Sequence, residues 1–238
     1  MWLFPKRRWN AELTVRHLRR EGPAPKLLDV GFGRGDFLLA MRESGWDVHG
    51  IEPDAEGVAA ARALGLAVEQ GAVDDAPYPP ASFDAITLSH VVEHLHDPVR
   101  SLTACARLLK PGGVIWLATP NVASPAQRRF GRDWFGLDPP RHLVIFTRRG
   151  LDLALRRAGF EGISFRRTYR GQLMVAASEE LASEGEPLTA LRPRSSRSRF
   201  LGRALDTAAA LRPEWGEELM VLARVPAAQG TGGRRKMR

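Results

Sequence analysis

The stretch from Leu27 to Asp54, LLDVGFGRGDFLLAMRESGWDVHGIEPD, constrains the fold more than any other part of the chain. It opens with a short apolar run, which is typical of a buried parallel strand, and continues into a turn rich in glycine. Apolar side chains at helical spacing predict a helix over 36–44, and a second strand over 47–51 places Glu52 just past its end. The pattern therefore predicts a βαβ unit whose glycine turn is followed by a distal acidic residue.

Two cofactors fit this layout, a nicotinamide dinucleotide and S-adenosylmethionine. In either case Glu52, about 20 positions after the glycines, can accept both hydroxyls of an adenosine ribose. A dinucleotide loop needs glycine or alanine where this chain has Asp36, because a pyrophosphate approaches the start of the helix there. Asp29 and Asp36 instead suit the positive sulfonium and ammonium groups of S-adenosylmethionine, so the loop favours that cofactor over NAD. The alternative is a βαβ turn without a ligand, in which glycine only permits positive φ.

Strands and helices alternate along the rest of the chain. Five more strands are predicted, at LAVEQG, FDAITL, VIWLAT, FEGISFRRT and EELMVLARV. Asp54, Asp97 and Thr147 stand where they can cap helices between these strands. The alternation predicts an α/β fold with a doubly wound, mostly parallel sheet of seven strands, in which the last two strands pair antiparallel.

Composition limits the classes of protein to consider. The chain of 238 residues has one cysteine, Cys105, which excludes an internal disulfide and a cysteine-rich zinc site. It has no run of about 18 apolar residues, and its start, MWLFPKRRWN, lacks the apolar core of a signal peptide, so a cytoplasmic location is expected. The net charge of +8 is concentrated in 1–20, 126–170 and 230–238, whereas 21–125 is acidic.

Five motifs in order resemble the class I S-adenosylmethionine-dependent methyltransferases. They are DVGFGRGDFL, IEPD, VDDAPYPPASFDAITLSHVVEHLHDP, LLKPGGVIWLATPN and WFGLDPPRHLVIFTRRGLDLALRRAGF. Within that class the chain is similar to the small-molecule branch that resembles ubiquinone O-methyltransferases. The resemblance covers residues 26–168 and resumes at GEELMVLARV. It implies a Rossmann-like seven-stranded sheet whose last strand is antiparallel, with S-adenosylmethionine at the carboxyl ends of the strands.

The resemblance implies nine cofactor-binding residues. They are Asp29, Gly31, Gly33, Gly35, Glu52, Pro53, Val73, Asp74 and Ser89. The glycines are expected to pass under the methionine end, Glu52 to bind the ribose, and Asp74 to lie at the adenine edge. Many relatives have aspartate where this chain has Ala72, so the adenine contact falls to Asp74 or to the backbone alone.

The sequence pattern and the extent of the resemblance together divide the chain. Residues 1–25 are predicted to form a basic N-terminal helix and linker, 26–229 the methyltransferase domain, and 230–238 a disordered basic tail. Inside the domain, 120–146 shows no regular pattern and is expected to act as a lid over the acceptor. The polar insertion 170–213 lies between the last two strands and contains one periodic piece, 200–211.

A hydroxyl acceptor needs a base, and histidines are the natural candidates. His142 lies in the predicted lid and is expected to contact the acceptor, while His94 is expected to border the cofactor cleft. His90 and His94 are four residues apart with Glu93 beside them, but this spacing lacks a third metal ligand, so we predict no metal site. The alternative for His142 is a structural histidine in a packed loop.

These observations predict a methyltransferase that acts on a small molecule, at a hydroxyl oxygen. The arginines of 126–170 either form a solvated face or attract an anionic acceptor. The stretch 200–211 covers the core or touches a membrane surface as a peripheral contact. A nucleic-acid methyltransferase and a non-catalytic cofactor-binding subunit stay open as alternatives, and the oligomeric state is not predicted. The basic composition favours the nucleic-acid alternative, but LSHVVEH at the end of the fourth strand does not match the motif for methylating bases.

Overall fold

The computed structural model of the protein describes Leu18 and residues 22–168, 170–184 and 196–227. In these ranges the chain forms a seven-stranded sheet with helices on both faces, which confirms the predicted α/β fold. Of the predicted N-terminal helix and linker over 1–25, only Leu18 and residues 22–25 are described, and the predicted tail 230–238 lies outside the described residues.

The sheet has the strand order β3-β2-β1-β4-β5-β7-β6. Its strands are β1 (Lys26–Val30), β2 (Asp47–Glu52), β3 (Ala67–Gln70), β4 (Phe83–Ser89), β5 (Leu109–Pro120), β6 (Glu161–Arg166) and β7 (Glu218–Arg224). The first five strands pair in parallel, and β7 runs antiparallel between β5 and β6. The order reverses between β1 and β4, and in such sheets ligands bind outside the carboxyl ends of the strands at the reversal.

The α-helices lie between the strands in sequence. They are α1 (Asp36–Glu43), α2 (Ala55–Ala63), α3 (Pro98–Leu108), α4 (Pro125–Phe130), α5 (Arg148–Arg157), α6 (Gly171–Glu184) and α7 (Ser196–Leu211). The three predicted capping residues Asp54, Asp97 and Thr147 each accept a hydrogen bond from the backbone N–H three positions on, at 3.0, 3.0 and 3.1 Å. Local sequence therefore sets where α2, α3 and α5 begin.

Each face of the sheet has its own apolar core. On one face, Leu28 and Leu117 belong to a cluster that also contains side chains of α3 and α5. On the other face, Leu27 packs with Leu38 of α1 and Val58 of α2. Burial on both faces explains why the central strands read as nearly continuous apolar runs. Every helix among the described residues is too short or too polar to cross a lipid bilayer.

The expectation of an irregular segment over 120–146 was wrong in part. Ser124 accepts a hydrogen bond from the Gln127 backbone N–H at 3.1 Å, and Pro125 occupies the first turn of α4. Helix α4 has only six residues, which is too short to show helical periodicity. The segment is closed at its base, because Asn121 bridges to Phe146.

Two other boundaries differ from the sequence pattern. The insertion between β6 and β7 contains α6 as well as α7, although its composition indicated loop outside 200–211. The sequence of helix α6 shows no amphipathic periodicity, because its middle, from Met174 to Ser178, is buried on all sides. Helix α3 ends at Leu108, four residues before Gly112, although a glycine is a common helix stop, because Leu109 already pairs with Phe83 in the sheet.

Candidate active site

The glycine turn after β1 has the backbone conformation that its composition predicts. Gly31, Gly33 and Gly35 have φ angles of 72°, 59° and 88°, which side-chain-bearing residues rarely adopt. A Cβ atom on Gly31 would lie 2.4 Å from a methyl carbon of Val91, whereas one on Gly33 would meet nothing within 4 Å. The turn therefore needs glycine at Gly31 for space, and it leaves the Gly33 backbone open to an approaching ligand.

Glu52 holds this turn against the end of β2. Its Oε2 atom accepts a hydrogen bond from the Gly33 N–H at 3.0 Å, and its Oε1 atom accepts one from the Asp54 N–H at 3.1 Å. Pro53, between these residues, is exposed. The fold thus brings the distal acid of the βαβ unit to the glycine turn, and its binding of the ribose stays a prediction.

Asp29 is a second carboxyl beneath the same turn, and it is only 5% exposed. Burial raises the pKa of Asp29 to about 7, and the negative charge of Glu52 adds to the rise. A hydrogen bond from the Thr87 Oγ1 atom, at 2.7 Å, works in the opposite direction. Two acidic groups therefore face one turn, and a bound cation would favour the ionised form of both.

The remaining predicted cofactor residues occupy the same edge of the sheet in different environments. Val73 is buried, and Ser89 is exposed as the last residue of β4. The Asp74 carboxylate is turned toward α3, where its Oδ2 atom accepts a hydrogen bond from Ser101 Oγ at 3.0 Å. Its proposed contact with adenine stays a prediction.

His90, which was not among the predicted site residues, lies at the end of β4. It follows Ser89 with a φ angle of 55°, so its side chain leaves the end of β4 in an uncommon direction. Its Nδ1 atom lies 3.2 Å from Glu93 Oε1, and its Nε2 atom lies 2.7 Å from Glu218 Oε1. Burial alone would lower the pKa of His90, but the hydrogen bonds and charges of Glu218 and Glu93 outweigh it and raise the pKa to about 9.

The two histidines predicted to be catalytic lie beside each other. The rings of His94 and His142 meet edge to face with centroids 4.8 Å apart. Each Nδ1 atom lies 2.8 Å from a backbone carbonyl oxygen, that of Arg141 for His94 and that of Gly136 for His142. Because a carbonyl only accepts, we assign the proton to Nδ1 in both rings, which leaves Nε2 able to accept a proton.

Glu93 connects this histidine pair to His90. It is fully buried, and its second oxygen accepts a hydrogen bond from Thr119 Oγ1 at 2.9 Å. One potential ligand atom from each of Glu93, His94 and His142 lies within 4.8 Å of the others. His142 therefore supplies the third potential metal ligand that the His90–His94 spacing lacks. The two Glu93 oxygens, however, already contact His90 and Thr119. The predicted lack of a metal stays a prediction.

A pocket of about 220 Å³ opens beside His90. It is lined by His90, Pro120, Phe135, Arg170, Leu173, Met174, Glu217 and Glu218. The lining includes His90 rather than His94 or His142, so the predicted catalytic pair lies behind His90, across Glu93. Pro120 and Phe135 come from the expected lid 120–146, and helix α6, which the sequence pattern missed, supplies two apolar residues.

The pocket is roofed by a packed unit that we call the cap, formed by 121–146, α6 and α7. The Trp134 side chain is fully buried in it, in a cluster with Ala126 and Met174. The backbone N–H of Phe135 donates a hydrogen bond to Ser178 Oγ at 3.0 Å, which joins the loop to α6. The cap is therefore held by side-chain packing over the carboxyl ends of β4 and β5.

A family model described as a methyltransferase domain matches residues 3–164. The chain belongs to this family. The predicted class I methyltransferase is thereby confirmed, and S-adenosylmethionine is the cofactor of that class. A ubiquinone biosynthesis O-methyltransferase of Xanthomonas campestris pv. campestris (strain B100) is 40% identical over 106 residues, which are 42% of this chain and 44% of that protein. The match thus spans less than half the length of that curated relative.

Solved structures support the fold of this methyltransferase domain. The phosphoethanolamine N-methyltransferase 2 of Haemonchus contortus, in complex with S-adenosyl-L-methionine, has a TM-score of 0.63 at 16% identity, over 92% of this chain and 53% of that one. The (4+2)-cyclase SpnF has a TM-score of 0.65 at 22% identity, over 92% of this chain and 81% of that one. Identities this low establish the architecture alone, and one architecture serves different reactions.

The residues at the glycine turn fit S-adenosylmethionine. Gly33 offers an open backbone, the Glu52 carboxylate lies beside it at the end of β2, and buried Asp29 favours a cationic ligand. His90 and Glu218 could not be paired from sequence, because they are 128 positions apart. The sequence signal at His90 is its place one residue past the end of a buried strand.

Proposed function

We propose that this protein is an S-adenosylmethionine-dependent methyltransferase that methylates a hydroxyl oxygen of a small molecule. The observation that carries the proposal is the pocket beside His90, which opens one residue beyond Ser89 at the edge of the sheet that holds the glycine turn. The Xanthomonas relative is a ubiquinone biosynthesis O-methyltransferase, which supports oxygen as the acceptor atom. The short match to that relative leaves the activity of the whole protein to experiment.

The pocket suits an acceptor with an apolar body and a polar end. Pro120, Phe135, Leu173 and Met174 line most of it, and such surfaces bind apolar ligands by removing their area from water. The charged lining residues form one group, in which Glu218 lies 2.7 Å from His90 and 3.6 Å from the Nε atom of Arg170. An acceptor hydroxyl is best placed beside this charged group.

Each of the residues has a separate chemical task in this proposal. When bound, S-adenosylmethionine supplies the methyl group on a sulfonium, so catalysis depends mainly on positioning and on exclusion of water. Asp29, Glu52 and the glycine turn bind the cofactor. His90 keeps its proton below pH 9 and therefore orients the acceptor rather than deprotonating it. Nε2 of His142, with His94 as the neighbouring alternative, stays the predicted final site of the acceptor proton; because neither ring lines the pocket, the proton would have to pass from the pocket across His90 and Glu93.

The basic segment 126–170 gives limited support to an anionic acceptor. Six of its eleven arginines already contact a carboxylate or an aromatic ring in the described structure. Arg170 is the arginine in the pocket lining, and it lies beside Glu218. An anionic group on the acceptor stays a prediction, as do the cytoplasmic location and the alternatives of a nucleic-acid substrate or a non-catalytic subunit.

Mass spectrometry of an acceptor panel tests the proposal directly. The purified full chain is incubated with S-adenosylmethionine and hydroxyl, amine and carboxyl compounds, together with RNA as a separate arm. Methylation of a small hydroxyl compound, seen as the mass gain of one methylene group and lost in a Glu52→Gln variant, is the expected result. Methylation of RNA alone, or cofactor binding without turnover on any acceptor in the full panel, would contradict it.

A further inference from the structure

Helix α7 exposes an apolar stripe on the outside of the cap. Phe200 is 77% exposed and Leu211 is 80% exposed, the highest values among the large exposed apolar side chains that the structure describes. The two residues are eleven positions apart, which is three helical turns, so they lie on the same side of the helix. Ala204 and Thr207 fall between them on that side. We call these four residues the α7 stripe.

The opposite side of α7 fixes how the helix is turned. A Cβ atom on Gly202 would lie 2.5 Å from the Cα atom of Gln172, so α6 and α7 cross at close contact. Asp206 Oδ1 accepts a hydrogen bond from the Gly171 N–H at 2.7 Å, and Leu205 packs against the cluster around Trp134. Because these contacts hold the inner side, the α7 stripe cannot turn inward without breaking the α6–α7 packing.

Positive charge borders the α7 stripe. At 100° per residue, Arg199 and Arg203 fall on one side of the stripe and Arg197 falls on the other. Arg212 follows the helix and lies over the Trp215 ring, 4.8 Å from its centroid. The acidic residue of the helix, Asp206, points into the α6–α7 contact. The outer face of α7 is therefore apolar along its middle and cationic along both sides.

We propose that this face of α7 docks the protein on an anionic phospholipid bilayer. A helix lying in the interface buries its apolar stripe among the acyl chains and places flanking arginines at the level of the phosphates. A second copy of this chain is a poorer occupant. A two-fold contact through the same face would bring arginines against arginines. Trp215 at the end of the helix has the ring type enriched at bilayer interfaces.

Docking through α7 would also place the pocket close to the bilayer. Leu173 and Met174 of α6 line the pocket, and α7 packs directly on α6. An apolar acceptor dissolved in the bilayer would then have a short path to the pocket. The docking proposal rests on the geometry of α7 and does not depend on the identity of the acceptor.

Vesicle sedimentation with the full chain tests the proposal. The vesicles contain phosphatidylcholine alone or phosphatidylcholine with phosphatidylglycerol, and the variant is Phe200→Ser with Leu211→Ser. The matched control is Leu64→Ser with Leu153→Ser, which removes two apolar side chains that are 44% and 49% exposed on other elements. We expect binding to the anionic vesicles only, a loss of about tenfold or more in the α7 variant, and near wild-type binding in the control.

Several outcomes would overturn the proposal. One is absence of binding of the wild-type protein to anionic vesicles. The others are binding by the α7 variant equal to that of the wild type, and an equal loss of binding in the α7 variant and the Leu64/Leu153 control. Retained binding by the α7 variant together with loss on deletion of 230–238 would assign the binding to the basic tail instead. Concentration-dependent self-association that the α7 variant abolishes would assign the face to a second copy. Unchanged melting temperatures are expected, because Phe200 and Leu211 contribute little buried area.

Discussion

The Nε2 atom of His90 lies 2.7 Å from Oε1 of Glu218, which ties the carboxyl end of β4 to the start of β7. On its other side His90 contacts Glu93, and Glu93 in turn lies beside His94 and His142. The pocket and the predicted base are thus joined by one run of ionisable side chains. Changes at His90 are therefore expected to affect both stability and acceptor binding.

The first prediction is a loss of stability at high pH that depends on His90. Its pKa is about 9 in the folded protein, against an ordinary value of 6.5, so the folded form retains a proton between these values. The resulting stabilisation is complete below pH 6.5 and disappears as pH rises through 9. We expect about 1–2 kcal/mol, because the imidazole is 42% exposed and solvent screens its charge. Melting temperatures from pH 6 to 10 should fall less steeply for His90→Asn, and parallel curves would contradict this assignment.

Local sequence predicted the parts of the fold that depend on local interactions. The glycine turn, Glu52 and the caps at Asp54 and Asp97 are each explained by residues a few positions away or by one βαβ unit. The cap over the pocket, formed by 121–146, α6 and α7, was not predicted in the same way. Helix α6 is formed by packing against 125–137 and α7, and no local periodicity records those partners. The pairing of His90 with Glu218 likewise depends on where β7 inserts in the sheet.

The second prediction concerns the pH dependence of cofactor affinity. The raised pKa of Asp29, about 7, means that its folded form favours the protonated carboxyl, so the protein loses stability as pH rises from 3.8 toward 7. A cationic ligand favours the ionised form, and its affinity should rise through pH 7 and then level off. Calorimetry with S-adenosylhomocysteine, which keeps the ammonium, checks this from pH 5.5 to 8.5. The Asp29→Asn variant should bind S-adenosylhomocysteine weakly and show no rise of affinity with pH. An affinity of the wild-type protein that does not change with pH would remove Asp29 from the ammonium site.

The third prediction separates the two cofactor classes at Glu52. Stabilisation by S-adenosylhomocysteine and none by NAD is expected in a thermal-shift assay. Glu52→Gln should weaken S-adenosylhomocysteine binding by about 1–3 kcal/mol, because two charge-assisted hydrogen bonds to the ribose are lost. Glu69→Gln is the matched control, since Glu69 lies on neighbouring β3 and pairs only loosely with Arg62, at 4.0 Å. Equal affinity of Glu52→Gln and the control would place the ribose elsewhere.

The last prediction assigns the acceptor proton to His142. Its Nδ1 atom is 2.8 Å from the Gly136 carbonyl oxygen, so a replacement must preserve a donor there to leave the cap intact. His142→Gln retains an amide N–H that can reach this carbonyl but has no basic nitrogen at neutral pH. We expect kcat to fall by about 10²–10⁴, while melting temperature and S-adenosylhomocysteine affinity change little. His96→Gln, at an exposed position, is the control and should leave kcat unchanged.

His94 and His90 complete the test of that assignment. His94→Gln should lower kcat less than His142→Gln does, unless His94 itself is the base. His90→Asn should raise KM more than it lowers kcat, because the protonated imidazole orients the acceptor in the pocket. If His142→Gln turns over normally on the true acceptor, His142 is a structural residue of the cap. A large loss of kcat in His94→Gln alone would then move the base to Nε2 of His94.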